Sequence, residues 1–183
     1  MRHVLVVTHT GRADALAAAQ EVCGALLAAG VNPVMTRVEL EDHQRFANEQ
    51  VSPHASLEGV LVLGDDVPAD DIELAMVLGG DGTILKAAEI VREAQTPLLG
   101  INLGHVGFLA ESERDGLTDA VRRVVEKDYL VKERLALDVT VFVEGKEAFK
   151  TWALNEAAIE KSARERMLEV VLEIDQRPLS SFG

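Results

Sequence analysis

The sequence predicts an α/β domain with a parallel sheet and flanking helices over residues 1–129. Over 130–183 it predicts the start of an antiparallel, β-rich second domain. Three observations carry that reading. Short apolar runs such as Val4-Leu5-Val6-Val7 alternate with segments of helical period, as expected of strands covered on both faces. Glycines cluster where such runs end, in Gly79-Gly80-Asp81-Gly82-Thr83 and again after Asn102. Beyond Tyr129, strand-like runs follow one another with no helix between them.

The elements follow in order. Residues 4–7 form a buried strand, and the turn Thr8-His9-Thr10-Gly11-Arg12 leads into an Ala-rich helix over about 14–29, stopped by Gly30. Val34 begins a weaker strand. Residues 38–58, interrupted by Pro53, read as a connection with room for one short helix. A strand at 60–63 precedes an acidic loop holding Asp65, Asp66, Asp70, Asp71 and Glu73, then a buried strand at 74–78. A helix over about 84–94 shows Ile84, Ala87 or Ala88, and Val91 on one face; a strand at 98–101 and a helix at 117–127 close the domain. In the second domain 135–143, 149–160 and 167–175 read as strands of a meander, with turns at Glu144-Gly145 and at 175–178.

Composition narrows the function. Eighteen basic against 31 acidic residues give a net charge of −13, and residues 1–75 hold 12 acids, four Arg and no Lys. Nucleic-acid binding rests on Lys and Arg, so this balance argues against such a partner. The single Cys23 excludes an internal disulfide and suits a reducing, cytoplasmic setting. The five His lack metal-ligand spacing, so no metal ligand is assigned. No apolar run approaches the roughly 20 residues that span a membrane, and the run at 4–7 is too short for a signal peptide.

The chemistry concentrates in three segments. Gly79, Gly80, Gly82 and Thr83 sit between an apolar strand and an amphipathic helix. There glycines admit a ligand close to the backbone and tolerate positive φ, Thr83 can cap the helix, and the helix N-terminus favours phosphate. Asp81 has no evident packing reason. Beside phosphates it needs Mg²⁺ or a proton to accept from an attacking hydroxyl; the plainer alternative is a tight turn capped by Asp. In the second segment, 102–111, Gly104, Gly107 and Phe108 read either as a ligand platform or as turn residues with a core anchor. In the third, Asn155 and Glu156 break an apolar strand pattern and point to opposite faces, as ribose contacts or as an exposed edge pair. Lys161, Arg164 and Arg166 downstream either meet phosphates or solvate a turn.

Together these segments resemble the NAD kinase family, which shows the Gly-Gly-Asp-Gly-Thr loop, a glycine-and-phenylalanine segment and a Leu-Asn-Glu segment in this order at similar separations. The loop alone is shared with diacylglycerol, sphingosine and related lipid kinases. The resemblance implies transfer of a phosphoryl group from ATP, or polyphosphate, to the adenosine 2′-hydroxyl of NAD, with Mg²⁺ or another divalent metal. It implies Asp81 as the base; Gly82, Lys86, Asn155, Glu156 and Arg166 as NAD contacts, with Lys161 the lesser choice for the last; and Phe108 near the adenine. It also implies a homo-oligomer, dimer or tetramer, at full length. Family members continue into Gly-x-Asp-Gly and Thr-Pro-x-Gly-Ser-Thr-Ala-Tyr segments, whereas this sequence stops at Phe182-Gly183. The expectation is a chain cut within its second domain, with little activity by itself and a tendency to self-associate. The alternatives are a lipid kinase of the same superfamily and a non-catalytic nucleotide-binding fragment.

Overall fold

In the computed structural model, residues 1–9, 12–49, 57–103, 112–113, 116–160 and 169–182 are described. Strand β1 (His3–Thr8) is apolar on both faces, with Val4 to Val7 fully buried, so it occupies the centre of a sheet. It pairs in parallel with β2 (Asn32–Met35) on one side and β4 (Leu74–Leu78) on the other. With β3 (Leu61–Val62), β5 (Leu98–Asn102) and β6 (Ser112–Glu113) the order is β3-β2-β1-β4-β5-β6, parallel throughout. Alternate residues divide the core. Val4 and Val6 meet α1 (Ala13–Ala28) and α4 (Leu117–Glu126), while Leu5 and Val7 meet α3 (Asp81–Val91). The α/β class read from the sequence is the class observed.

Helix α1 ends as its glycine foretells. Gly30 takes φ +73° and donates to Leu27 O, while Val31 donates to Leu26 O at 2.9 Å, the paired bonds of a Schellman ending. At the opposite end of the sheet from the glycine loop, Arg2 grips Glu73 through two nitrogens and donates to the Val124 and Val125 carbonyls at the end of α4. The Tyr129 hydroxyl also donates to Glu73. Arg2, with Tyr129, holds the Glu73 carboxyl below its usual range.

Several boundaries differ from the sequence reading. The connection at 38–58 contains a 13-residue helix, α2 (Arg37–Glu49), rather than a short one. Its start signal is Thr36-Arg37-Val38-Glu39, in which the Glu39 N–H donates to Thr36 Oγ1. Strand β3 shrinks to two residues because Asp66 turns the chain by accepting the Val62 N–H. The second strand of the β-rich region, read over 149–160, ends at Ala153.

Helix α2 also buries His43, whose two ring nitrogens have no hydrogen-bond partner among the described residues. Burial pushes its pKa down to about 4, against an ordinary value of 6.5. As pH falls the unfolded chain takes the proton first, so stability drains between about pH 6.5 and 4. At about 1.4 kcal/mol per unit, the loss grows to roughly 3 kcal/mol. Melting curves of His43→Leu are expected to decline less over this window than those of the unaltered protein; parallel declines would exclude His43 as the acid-sensitive group.

The chain divides into two units, Met1–Lys132 and Glu133–Gly183. The second contains two hairpins, β7 (Leu137–Val143) with β8 (Lys146–Ala153) and β9 (Val170–Ile174) with β10 (Arg177–Phe182). Glu144-Gly145 and Asp175-Gln176 each take positive φ at both positions, the geometry that matches strand twist in a tight hairpin. Among the described residues these are two separate two-stranded sheets instead of one meander. Such hairpins bury little, and Phe142, Phe149 and Phe182 remain exposed.

Candidate active site

Strand order reverses between β1 and β4, so the connections leaving their carboxyl ends diverge and open a crevice. The ends are level: His9 N–H donates to Leu78 O, and Gly79 N–H donates to Ile101 O at 3.0 Å. The segment leaving β4 at this crevice is Gly79-Gly80, followed at once by α3.

Helix α3 begins at Asp81, three residues before the predicted start. Gly80 is its N-cap, and its carbonyl accepts from Thr83 and Ile84 N–H at 2.9 and 3.1 Å. Thr83 therefore is not the cap. It is buried in the first turn and folds over Gly79, where a Cβ would lie 2.4 Å from Thr83 Oγ1 and 2.9 Å from Thr83 Cβ. Gly79 is a glycine for packing. Gly80 and Gly82 differ: among the described residues, a Cβ on either would meet nothing within 4 Å. None of the three takes positive φ, so the conformational reason offered by the sequence does not apply. What remains is an open side along which a ligand can approach the first turn of α3. Asp81 is half-buried beside it, in the turn whose dipole favours negative charge.

Lys86 follows Gly82 by four residues, hence on the same face of α3. Its Nζ lies 3.1 Å from Glu39 Oε1. Glu39 is fully buried and also accepts from the Thr8 N–H at 3.2 Å and the Thr36 hydroxyl at 2.9 Å. Sequence reading missed this residue; the Thr-x-x-Glu start signal of α2 points to its place in the fold but not to its partners.

No group of three or more His, Cys, Asp or Glu that could hold a metal occurs among the described residues. A single loop carboxylate fits Mg²⁺ that keeps its waters and rides on nucleotide phosphates, rather than an all-protein cage. Cys23 is buried, and burial pushes its thiol up to about 12, so it is inert.

The family model of the ATP-NAD kinase N-terminal domain matches residues 4–129, which includes the whole crevice. The chain belongs to the NAD kinase family. It is 55% identical over 182 residues to an NAD kinase of Leifsonia xyli subsp. xyli, covering 100% of this chain and 58% of that protein. It is 52% identical over 186 residues to an NAD kinase of Thermobifida fusca, covering 100% of this chain and 55% of that protein. The chain thus spans little more than half the length of these NAD kinases. In fold it resembles the crystal structure of yeast NADH kinase complexed with NADH, with a TM-score of 0.73 at 18% identity, over 99% of this chain and 55% of that one.

Of the predicted site residues, Gly79, Gly80, Asp81, Gly82, Thr83 and Lys86 fall on one loop and the helix it opens. Asn155 and Glu156 belong to the second unit and are exposed. They do not face opposite sides of a strand: β8 ends at Ala153, and Asn155 lies in a bend beyond it. Gly104, Gly107, Phe108, Lys161, Arg164 and Arg166 lie outside the described residues. Among the described residues no helix is long and apolar enough to cross a membrane.

Proposed function

We propose that this chain supplies the phosphate loop and base of an NAD kinase that converts NAD to NADP. The observation that carries the reading is Asp81 at the first residue of α3, between two glycines at which a Cβ would meet nothing within 4 Å among the described residues. The open side at Gly80 and Gly82 admits phosphate oxygens to the first turn of α3, where the helix dipole favours negative charge. Asp81 orients the adenosine 2′-hydroxyl and takes its proton as the oxygen bonds to the terminal phosphorus of ATP or polyphosphate. The bond from that phosphorus to the leaving phosphate breaks, with its electrons departing on the leaving oxygen. A carboxylate is a weak base, so its part is positioning and late proton acceptance. Mg²⁺, when bound on the donor phosphates, would supply charge neutralisation, and Asp81 is the loop carboxylate that would hold it. Lys86 offers positive charge to the dinucleotide, Asn155 and Glu156 bind its ribose and nicotinamide side, and Arg166 is a further contact to NAD.

In a kinase of the relatives' length that carries this sequence, Glu156→Ala is expected to raise the KM for NAD about tenfold, the cost of a charged hydrogen bond. The KM for ATP should stay near its starting value. Equal losses for both substrates in steady-state kinetics would remove Glu156 from the NAD side. NADP formation from NAD and ATP, with diacylglycerol as the control acceptor, tests the reading as a whole; phosphorylation of the lipid alone would overturn it.

A further inference from the structure

We propose that Glu39 is a positioning residue that acts through Lys86, holding its ammonium at the phosphate side of the crevice. This rests on the proposed reading in which Lys86 meets the dinucleotide.

The geometry is unusual for a surface lysine. Glu39 is fully buried, yet its carboxylate reaches the carboxyl end of β1 and accepts three donors from three elements. These are the Thr8 backbone N–H, the Thr36 hydroxyl at the start of α2, and Lys86 Nζ on α3. The Thr8 and Thr36 bonds leave the carboxylate little freedom to rotate, so the point to which Lys86 is drawn is set by the sheet and not by solvent. Lys86 itself stays about half exposed, with 48% of its side chain accessible. An ammonium has three donors; one goes to Glu39, and two are left for a ligand. A free lysine side chain would spend rotamer entropy on reaching a phosphate, and a buried anchor meets that cost before the ligand arrives. Because Lys86 lies one turn along α3 from Gly82, the anchored ammonium and the open face of the first turn bound the same approach. The ligand chemistry that fits is a pair of phosphate oxygens on the dinucleotide. A lone buried carboxylate without a cation would be costly, so the pair also couples the fold to the site.

The test uses a kinase of the relatives' length carrying this sequence, with Glu39→Gln, Lys86→Met and the double variant. Glutamine keeps the volume and the acceptor oxygen shared by the Thr8 N–H and Lys86 Nζ, and removes the negative charge that draws the ammonium. Glu39→Gln is expected to raise the KM for NAD roughly tenfold with kcat within about twofold, as for a lost attraction between charged partners. In the Lys86→Met background it should add nothing. An unchanged KM in Glu39→Gln, or the same increment with and without Lys86, overturns the inference. An unchanged KM in Lys86→Met instead overturns the placement of Lys86 in the NAD site, which is a different failure. Should Glu39→Gln not fold, Lys86→Met alone decides. Removing the cation from a buried carboxylate must lower the melting temperature, and an unmoved melt means the anchor does not exist.

Discussion

Asp81→Asn, in a kinase of the relatives' length carrying this sequence, is expected to lower NADP formation by about 10²–10⁴-fold, the range that general acid–base groups contribute. The fold should survive. Asp81 opens α3, so its charge stabilises the helix dipole by about 0.3–1 kcal/mol. That is small beside the burial of Ile84, Ala87, Ala88 and Val91 against the sheet. Asn is nearly the same size, still tolerates the first turn, and cannot take the proton. Turnover and melting temperature measured on one preparation separate the two roles. A folded Asp81→Asn variant that turns over normally would end the assignment of Asp81 as base.

The three glycines of the same loop should part company. Gly79→Ala places a methyl 2.9 Å from Thr83 Cβ, a contact that no rotation of Thr83 relieves. The backbone must shift, and overpacking of this kind costs about 1–3 kcal/mol. Activity and stability should fall together. Gly82→Ala meets nothing within 4 Å and replaces the poorest non-proline helix former, so the melt should rise, by up to about 1 kcal/mol in stability. Its methyl group nonetheless occupies the open side, and affinity for NAD or ATP should drop about tenfold or more, as expected if a phosphate must retreat from the first-turn N–H groups. Calorimetric titration beside thermal melts reads both quantities. Unchanged affinity in the stabilised Gly82→Ala variant would mean that nucleotide does not approach from that side.

The sheet was legible because buried parallel strands are written as unbroken apolar runs, and 74–78 is one. Helix α2 was not, since its charged face outweighs its apolar positions and its start signal, Thr36 with Glu39, spans only four residues. The loop was legible as a site but not in its detail. Nothing in the letters Gly-Gly-Asp-Gly-Thr separates the glycine that yields to Thr83 from the two that face open space; only the backbone path does. Asn155 and Glu156 were misplaced onto a strand because the apolar residues around them continue the alternation of β8 past its end at Ala153. Glu39 was invisible as a site residue, because two of its three partners, Thr8 and Lys86, lie 31 and 47 positions away along the chain.

The grip of Arg2 on Glu73 and on the last carbonyls of α4 sets an order in time as well as in space. Its partners lie 71 to 123 positions downstream, with Tyr129 joining Glu73. A chain emerging from the ribosome exposes β1 long before β4 exists to flank it, and before α4 exists to close over Val4 and Val6. At roughly 5–20 residues per second, the centre of the sheet waits for on the order of ten seconds with its apolar faces unmatched. Chaperone contact should concentrate in that interval and end once residue 129 has left the exit tunnel.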